Sequence, residues 1–320
     1  MTTTTTPTAG PAGGNFRHEA LFYAGEADFV DRTGAFIQDS ISADEPILVV
    51  VSAAKIDMLR SRVNGDADGV RFADMAEVGL NPARIIPAWR EFVAEHASAG
   101  RRFRGIGEPI WAGRTPEELV ECERHESLLN LAFDGASAWW LVCPYDTESL
   151  EPSVIEEAHR NHPSLVESSG RRQSALYRDL AAVAKPFDLP LSEPPGPTEE
   201  IAFEPGQLVA VRRFVSRTAA AHGLRSERAS DLVLAVNEVA TNSLRYGGGR
   251  GVLRVWRSGS SMICEVRDEG RIDRPLAGRE RPSPSQEGGL GLWLVNQLCD
   301  LVQVRSFPAG SVVRLHMSTP

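Results

Sequence analysis

The segment Asp231 to Gly249, DLVLAVNEVATNSLRYGGG, constrains this chain more than any other. On a helix over Ser226 to Tyr246, Leu232, Val236 and Val239 line one face, while Glu238 and Asn242, four residues apart, share another. A carboxylate beside a carboxamide can hold a divalent cation and orient a nucleophile near a phosphate. Downstream, CEVRDEG at Cys264 to Gly270 sets Asp268 at the end of an apolar strand and Gly270 in the turn after it. Such a carboxylate can accept a hydrogen bond from an exocyclic amine. EGGLG, Glu287 to Gly291, then opens a helix: its glycines admit an anion close to backbone N–H groups, and the helix turns its positive end toward that anion. Each piece alone has an ordinary reading, as a solvated helix face, an Asp initiating a turn, or a Gly-rich turn before a helix. Their order and their elements make them one site in three pieces.

Together the three pieces resemble the N box and the two glycine boxes of the GHKL ATPase superfamily, which includes gyrase, heat-shock chaperones and histidine kinases. The resemblance spans residues 201–320. It implies ATP and Mg2+ as cofactors and a Bergerat-type α/β sandwich, with helices on one side of a mixed sheet. Carried over, Asn242 is the magnesium ligand and Asp268 the adenine contact. Gly270 is the turn glycine under the base, and Gly289 and Gly291, on either side of Leu290, contact phosphate. Arg271 to Gln286, rich in Pro and charge, becomes the lid over the nucleotide. The chain contains no GxxxxGK[ST] sequence, which excludes a P-loop ATPase.

A histidine kinase needs a phosphoacceptor His on a dimerising helix pair, usually followed by Glu or Asp and a nearby Pro. His18 and His125 lack that Pro, and neither directly precedes the ATPase-like segment. The short C-terminal part is similar instead to the anti-sigma-factor serine kinases of the RsbW class, where the Glu of the ExxxN pair is the general base; here that residue is Glu238. The implied reaction moves the γ-phosphoryl of ATP to a Ser or Thr of a STAS-domain anti-anti-sigma factor, largely by positioning and charge stabilisation. When that antagonist is scarce, the kinase domain binds a sigma factor. Relatives of this class are homodimers. Tyr246 stands where many of them have His. A non-catalytic, ATP-dependent binding module and an atypical histidine kinase are the competing expectations.

Composition bounds the rest. At 320 residues the chain suits two domains, and 42% hydrophobic with 24% charged residues is ordinary for a soluble globular protein. A net charge of -9 argues against nucleic acid as the main partner. Cys122, Cys143, Cys264 and Cys299 show no CxxC spacing, so neither a disulfide framework nor a zinc ribbon is expected, and a cytoplasmic setting is the simpler reading. No stretch approaches a membrane span, and MTTTTTPTAGPAGG lacks the basic start and apolar run of a signal peptide. Residues 1–15 read as a disordered tail and 186–200, including PLSEPPGPTEE, as a Pro-rich connector.

Between them, residues 16–185 alternate strand-like runs, PILVVVS from Pro46 and SAWWLVC from Ser137, with helical stretches at Ile86 to Ala97 and Pro116 to Phe133. That order predicts an α/β layer. HEALFYAGEADFV from His18, DEPILVVVS from Asp44, NPARIIPAWREFV from Asn81, GEPIWAGRTPEELVECERHESLLN from Gly107 and WWLVCPYDT from Trp139 resemble the MEDS sensory domain. That resemblance implies a RecA-like layer without its phosphate loop and a small organic ligand. His18, Glu108, Cys122, His125 and Cys143 are the candidates for a sensory pocket. Cys122 and His125, three apart on a helix, with Cys143 at a strand end, admit a metal or reactive-ligand site. They equally admit buried thiols and locally satisfied histidines, which is the expectation. Trp89, Trp111, Trp139 and Trp140 are assigned to the core rather than to a ligand cage.

Overall fold

The run Ile47–Val51 is buried at all five positions, and its side chains split between two cores, Leu48 and Val50 into one and Ile47, Val49 and Val51 into the other. A strand covered on both faces belongs inside a parallel sheet. The computed structural model, which describes residues 16–63, 69–97, 102–135, 138–178, 189–283 and 288–319, places it there. The first half runs β1 (Arg17–Tyr23), α1 (Gly25–Ser42), β2 (Ile47–Val51), α2 (Ala53–Arg62), β3 (Val70–Asp74), α3 (Met75–Val78), a 3-10 turn (Pro82–Arg84), α4 (Ile85–Ala97), β4 (Phe103–Gly107), α5 (Pro116–Ala132), β5 (Trp139–Asp146), α6 (Pro152–Asn161), β6 (Ser164–Glu167) and β7 (Gly170–Gln173). The strands order as β3-β2-β4-β5-β1-β6-β7, parallel except for β7.

Helices α1 and α2 cover one face of this sheet and α4, α5 and α6 the other. Trp89 of α4 lies against bare backbone: a Cβ on Gly105 or Gly107 of β4 would come within 2.9 Å of its indole. Trp89 and Trp139 are core residues as expected, whereas Trp140 is half-buried beneath the guanidinium of Arg17, 4.0 Å from its ring. α5 starts on a capping box, with the Thr115 side chain and Glu118 satisfying each other's backbone N–H and Pro116 in the first turn.

The second half runs β8 (Glu199–Phe203), α7 (Leu208–Ala221), α8 (Ser226–Tyr246), β9 (Gly251–Ser258), β10 (Ser261–Asp268), α9 (Leu290–Leu298), β11 (Leu301–Phe307) and β12 (Gly310–Ser318). Its five-stranded sheet, β11-β12-β10-β9-β8, has every pairing antiparallel, where the sequence reading expects a mixed sheet. The first strand, β8, starts inside the segment read as connector and pairs with β9. Three helices pack on one face around Val211, Val215, Val236, Val239 and Val295.

The other face of that sheet corrects a second expectation. Alternation in β12 implies that Arg314 and His316 face water, but Arg314 is 3% exposed. It donates to Glu265 at 2.6 and 2.9 Å and to the Ser192 carbonyl at 2.8 Å. Residues 189–193 and α5 cover this polar face, and its charges are paired to compensate. Here the two halves meet. Glu121 of α5, 1% exposed, accepts from Arg305 of β11 at 2.8 Å and from Arg279 at 2.9 Å, and Arg124 donates to the Val304 carbonyl. No helix among the described residues is long and apolar enough to cross a membrane. The expected tail, residues 1–15, and positions 186–188 of the expected connector lie outside the described residues.

Candidate functional site

α8 spans Ser226–Tyr246, and its period sets Leu232, Val236 and Val239 in the core with Glu238 and Asn242 half-buried beside the start of α9. The approach is close. A Cβ built on Gly291 would lie 3.0 Å from Glu238 Oε2 and 3.3 Å from Asn242 Nδ2, so any larger residue would crowd this corner. Gly289, the residue before α9, sits at φ 89°, a left-handed backbone that favours glycine. The N–H groups of the first turn of α9 have no intrahelical partners and, with the helix dipole, favour an anion. Leu290 is 58% exposed and does not line the cavity described next.

A cavity of about 370 Å³ opens here, lined among others by Asn242, Tyr246, Asp268, Gly270, Gly289 and Gly291. Asp268 is held from two sides. Its Oδ2 accepts from the Ser243 hydroxyl at 2.6 Å, and its Oδ1 accepts from the Ser311 hydroxyl at 2.8 Å and the Gly270 N–H at 2.9 Å. Three donors fix the carboxylate while it still borders the cavity, the condition for accepting from an exocyclic amine. A Cβ on Gly270 would come within 2.7 Å of the Tyr246 carbonyl, so the turn after β10 closes onto the end of α8 only without a side chain. The cavity size suits a nucleotide. Asn242 and Glu238 offer oxygen donors of the kind magnesium takes, so these residues fit an ATP–Mg2+ pair.

The sequence reading gave no site role to Ser243 and Ser311, which anchor Asp268, and placed Arg271 and Arg274 only within the lid, where they bring cations to the cavity wall. Ser311 follows Asp268 by 43 positions, and only the β10–β12 register, which pairs the two, brings them together. Arg271 and Arg274 lie in the expected lid, of which residues 284–286 fall outside the described residues. The lid is clasped from behind by the first half. Asp273, Arg274 and Ala277 line the nucleotide-sized cavity and also an interdomain pocket of about 80 Å³ with Ala83 and Arg124. Leu276 packs into the first half's core, Arg279 is paired to Glu121, and Arg90 meets Glu280 at 2.5 Å.

The far end of α9 is held as well. Arg84 donates to the carbonyls of Asn296 (2.8 Å), Gln297 (2.8 Å) and Cys299 (3.0 Å), a cationic cap on the negative end of the helix. Asn81 adds bonds to the Asn296 carbonyl and side chain, both at 3.1 Å. The helix whose N-terminus faces the cavity is thus gripped at its C-terminus by the other half.

The five sensory candidates do not form one pocket. His18 and Cys143 come together, His18 Nε2 lying 3.4 Å from Cys143 Sγ, with Glu126 and His162 completing the cluster. Glu108 instead pairs with Lys55 (2.6 Å) and accepts from the Tyr23 hydroxyl (2.6 Å) at the C-terminal edge of the sheet. Burial raises its pKa, opposed by Lys55. Cys122 donates to the Pro109 carbonyl at 3.3 Å, and burial pushes it up to about 12, so it is an inert buried thiol. His125 is buried, and burial lowers it to about 3; its ring stays neutral. The sequence signal for Glu126 and His162 was their residue type alone, since nothing local marks them as neighbours of His18.

Residues 17–163 match the family model described as MEDS, the methanogen/methylotroph DcmR sensory domain, and residues 201–317 match that of the histidine kinase-like ATPase domain. The chain therefore joins a MEDS domain to a histidine kinase-like ATPase domain. Among solved structures, it is similar to the RsbU and RsbW domains of a Mycobacterium tuberculosis protein, at 17% identity and a TM-score of 0.30, over 39% of this chain and 33% of that one. The chain thus spans about a third of that structure's length. No curated protein matches it.

Proposed function

We propose that this chain, with its MEDS domain joined to a histidine kinase-like ATPase domain, is an ATP-binding anti-sigma factor. In this reading it phosphorylates a Ser or Thr of a STAS-type antagonist and sequesters a sigma factor when that antagonist is scarce. The observation that carries the reading is the corner where Glu238 and Asn242 converge on Gly291 at the start of α9, beside a nucleotide-sized cavity with a fixed Asp268. ATP would supply the phosphoryl group and Mg2+ would neutralise its charge. Asn242 then holds the metal, Asp268 orients the base, and the first turn of α9 receives phosphate oxygens. Glu238 stands beside Asn242 to take the proton of an incoming hydroxyl. His18 and His125, the sequence's candidate phosphoacceptors, are each 1% exposed, which disfavours a histidine kinase. A cytoplasmic homodimer belongs to this proposal.

The contacts between the halves support control by the first half. The MEDS domain grips the lid through Glu121 and the far end of α9 through Arg84, so a change in its core reaches both walls of the nucleotide site. Labelled ATP tests the reading. With Mg2+ and a STAS-domain partner the protein gives acid-stable phosphoserine or phosphothreonine, and Glu238→Ala lowers transfer by about 100-fold to 10,000-fold while nucleotide binding persists. Nucleotide binding without transfer would leave a binding module. Acid-labile product would restore the histidine kinase.

A further inference from the structure

The core of the MEDS domain contains a cluster that the nucleotide chemistry does not use. His18 of β1, Glu126 of α5, Cys143 of β5 and His162, just after α6, are each 1% exposed or less. One ligand atom from each lies within 4.8 Å of all the others. His18 Nε2 is 3.1 Å from Glu126 Oε2 and 3.4 Å from Cys143 Sγ, and His162 Nε2 is 3.3 Å from the same carboxylate oxygen. Ligands at about 2.0–2.3 Å from a tetrahedral ion stand about 3.3–3.7 Å from one another. The three separations fall close to such edges.

The hydrogen bonds around the cluster fix which atoms face it. Asn130 donates its amide to the carbonyls of Asn161 (2.8 Å) and Ser127 (3.4 Å), which turns Oδ1, an acceptor, toward His18 Nδ1 at 3.0 Å. His18 therefore carries its proton on Nδ1. The Ala158 carbonyl, 2.8 Å from His162 Nδ1, imposes the same tautomer there. Both Nε2 atoms then present lone pairs to a carboxylate that can only accept. His162 Nε2 and Glu126 Oε1 have no hydrogen-bond partner, two buried polar atoms left unsatisfied in the core. A cation among the four side chains resolves this conflict. A carboxylate and a thiolate balance a divalent ion, and the outward Nδ1–H bonds are those that orient metal-bound histidines.

We propose that His18, Glu126, Cys143 and His162 form a closed site for one transition-metal ion, with zinc the best match to a mixed imidazole, carboxylate and thiolate set. Four protein ligands make it a site that ties elements together rather than one that activates water. It joins β1, β5, α5 and the end of α6, and α5 is the helix whose Glu121 reaches the ATP lid. The proposal is independent of phosphoryl transfer.

The full-length protein, stripped by a chelator and kept free of nucleotide, is titrated with Co2+. The expected result is one equivalent bound, with the strong visible bands of a tetrahedral ion and a near-ultraviolet thiolate-to-cobalt band, all displaced by Zn2+. Cys143→Ser loses the thiolate band, and Cys122→Ser, outside the cluster, keeps it. Glu126→Gln keeps the band but binds about tenfold or more weakly, which tests the site should Cys143→Ser fail to fold. Absence of stoichiometric cobalt and zinc binding in the wild-type chain, or a thiolate band that survives Cys143→Ser, overturns the site.

Discussion

The two halves of the molecule keep their chemistry in opposite places. In the MEDS domain, His18, Glu126, Cys143 and His162 are sealed in the core between sheet and helices, and their polar atoms are left in mutual conflict. In the ATPase domain, Asp268, Asn242 and the glycines stand on the wall of an open cavity, and Asp268 is fully supported from behind. A closed, under-satisfied cluster suits a small cation that becomes part of the fold. An open, pre-oriented wall suits a ligand that comes and goes. Between them runs a buried joint, Glu121 with Arg279 and Arg305, where one carboxylate of the first half pairs with two guanidiniums of the second.

That joint offers the largest effect. Glu121→Ala leaves two buried cations unpaired and is expected to cost about 3–5 kcal/mol, read by chemical denaturation as a drop in midpoint and a split into two transitions. A single unshifted transition would show that the halves do not depend on each other. Asp268→Asn comes next: losing the charge that holds Ser243, Ser311 and the Gly270 N–H is expected to weaken nucleotide binding by about tenfold to 100-fold, measured by calorimetry. Metal content should be unchanged, and a simultaneous loss of metal would erase the contrast between the halves.

The smallest effect concerns pH. Glu123 of α5 is pushed up to about 7 from an ordinary 4.5 by burial, reinforced by Glu157 and opposed by Arg178. The folded state therefore keeps a proton that the unfolded chain releases, so this residue lowers stability as pH rises from 4.5 to about 7 and leaves it low above that. Glu123→Gln is expected to gain about 1–2 kcal/mol at pH 8 and to flatten the slope. An unchanged slope in thermal melts across that range would mean that Glu123 stays ionised in the fold. His316, lowered to about 4 by burial, works in the other direction, since its neutral ring favours the fold above pH 6.5 and that stability is lost as pH falls toward 4.

Much of this could be read along the chain, and where it failed the reason is specific. The bounds of α8 coincide with the predicted helix because it carries a period of 3.6, and β10 ends at Asp268 as its apolar run implies. Glu238, Asn242, Asp268 and the glycines could be picked out as candidates because each sits in a short local pattern whose geometry follows from the element beneath it, and the structure brings them to one corner. Alternation in β12 correctly assigned Val313, Leu315 and Met317 to the core, but it misjudged Arg314, because a polar face can be buried when another segment brings matching charges.

Local pattern, then, fixed what neighbours within a helix turn or a strand pair can show: element types, the apolar faces, and a candidate nucleotide site built largely from backbone and short motifs. Tertiary structure alone decided which distant polar groups meet. His18 and His162 lie 144 positions apart, Glu121 and Arg305 184, and no periodicity relates them. Their proximity is set by the order of strands in a parallel sheet and by the docking of one half on the other, which depend on the packing of whole faces rather than on any one segment.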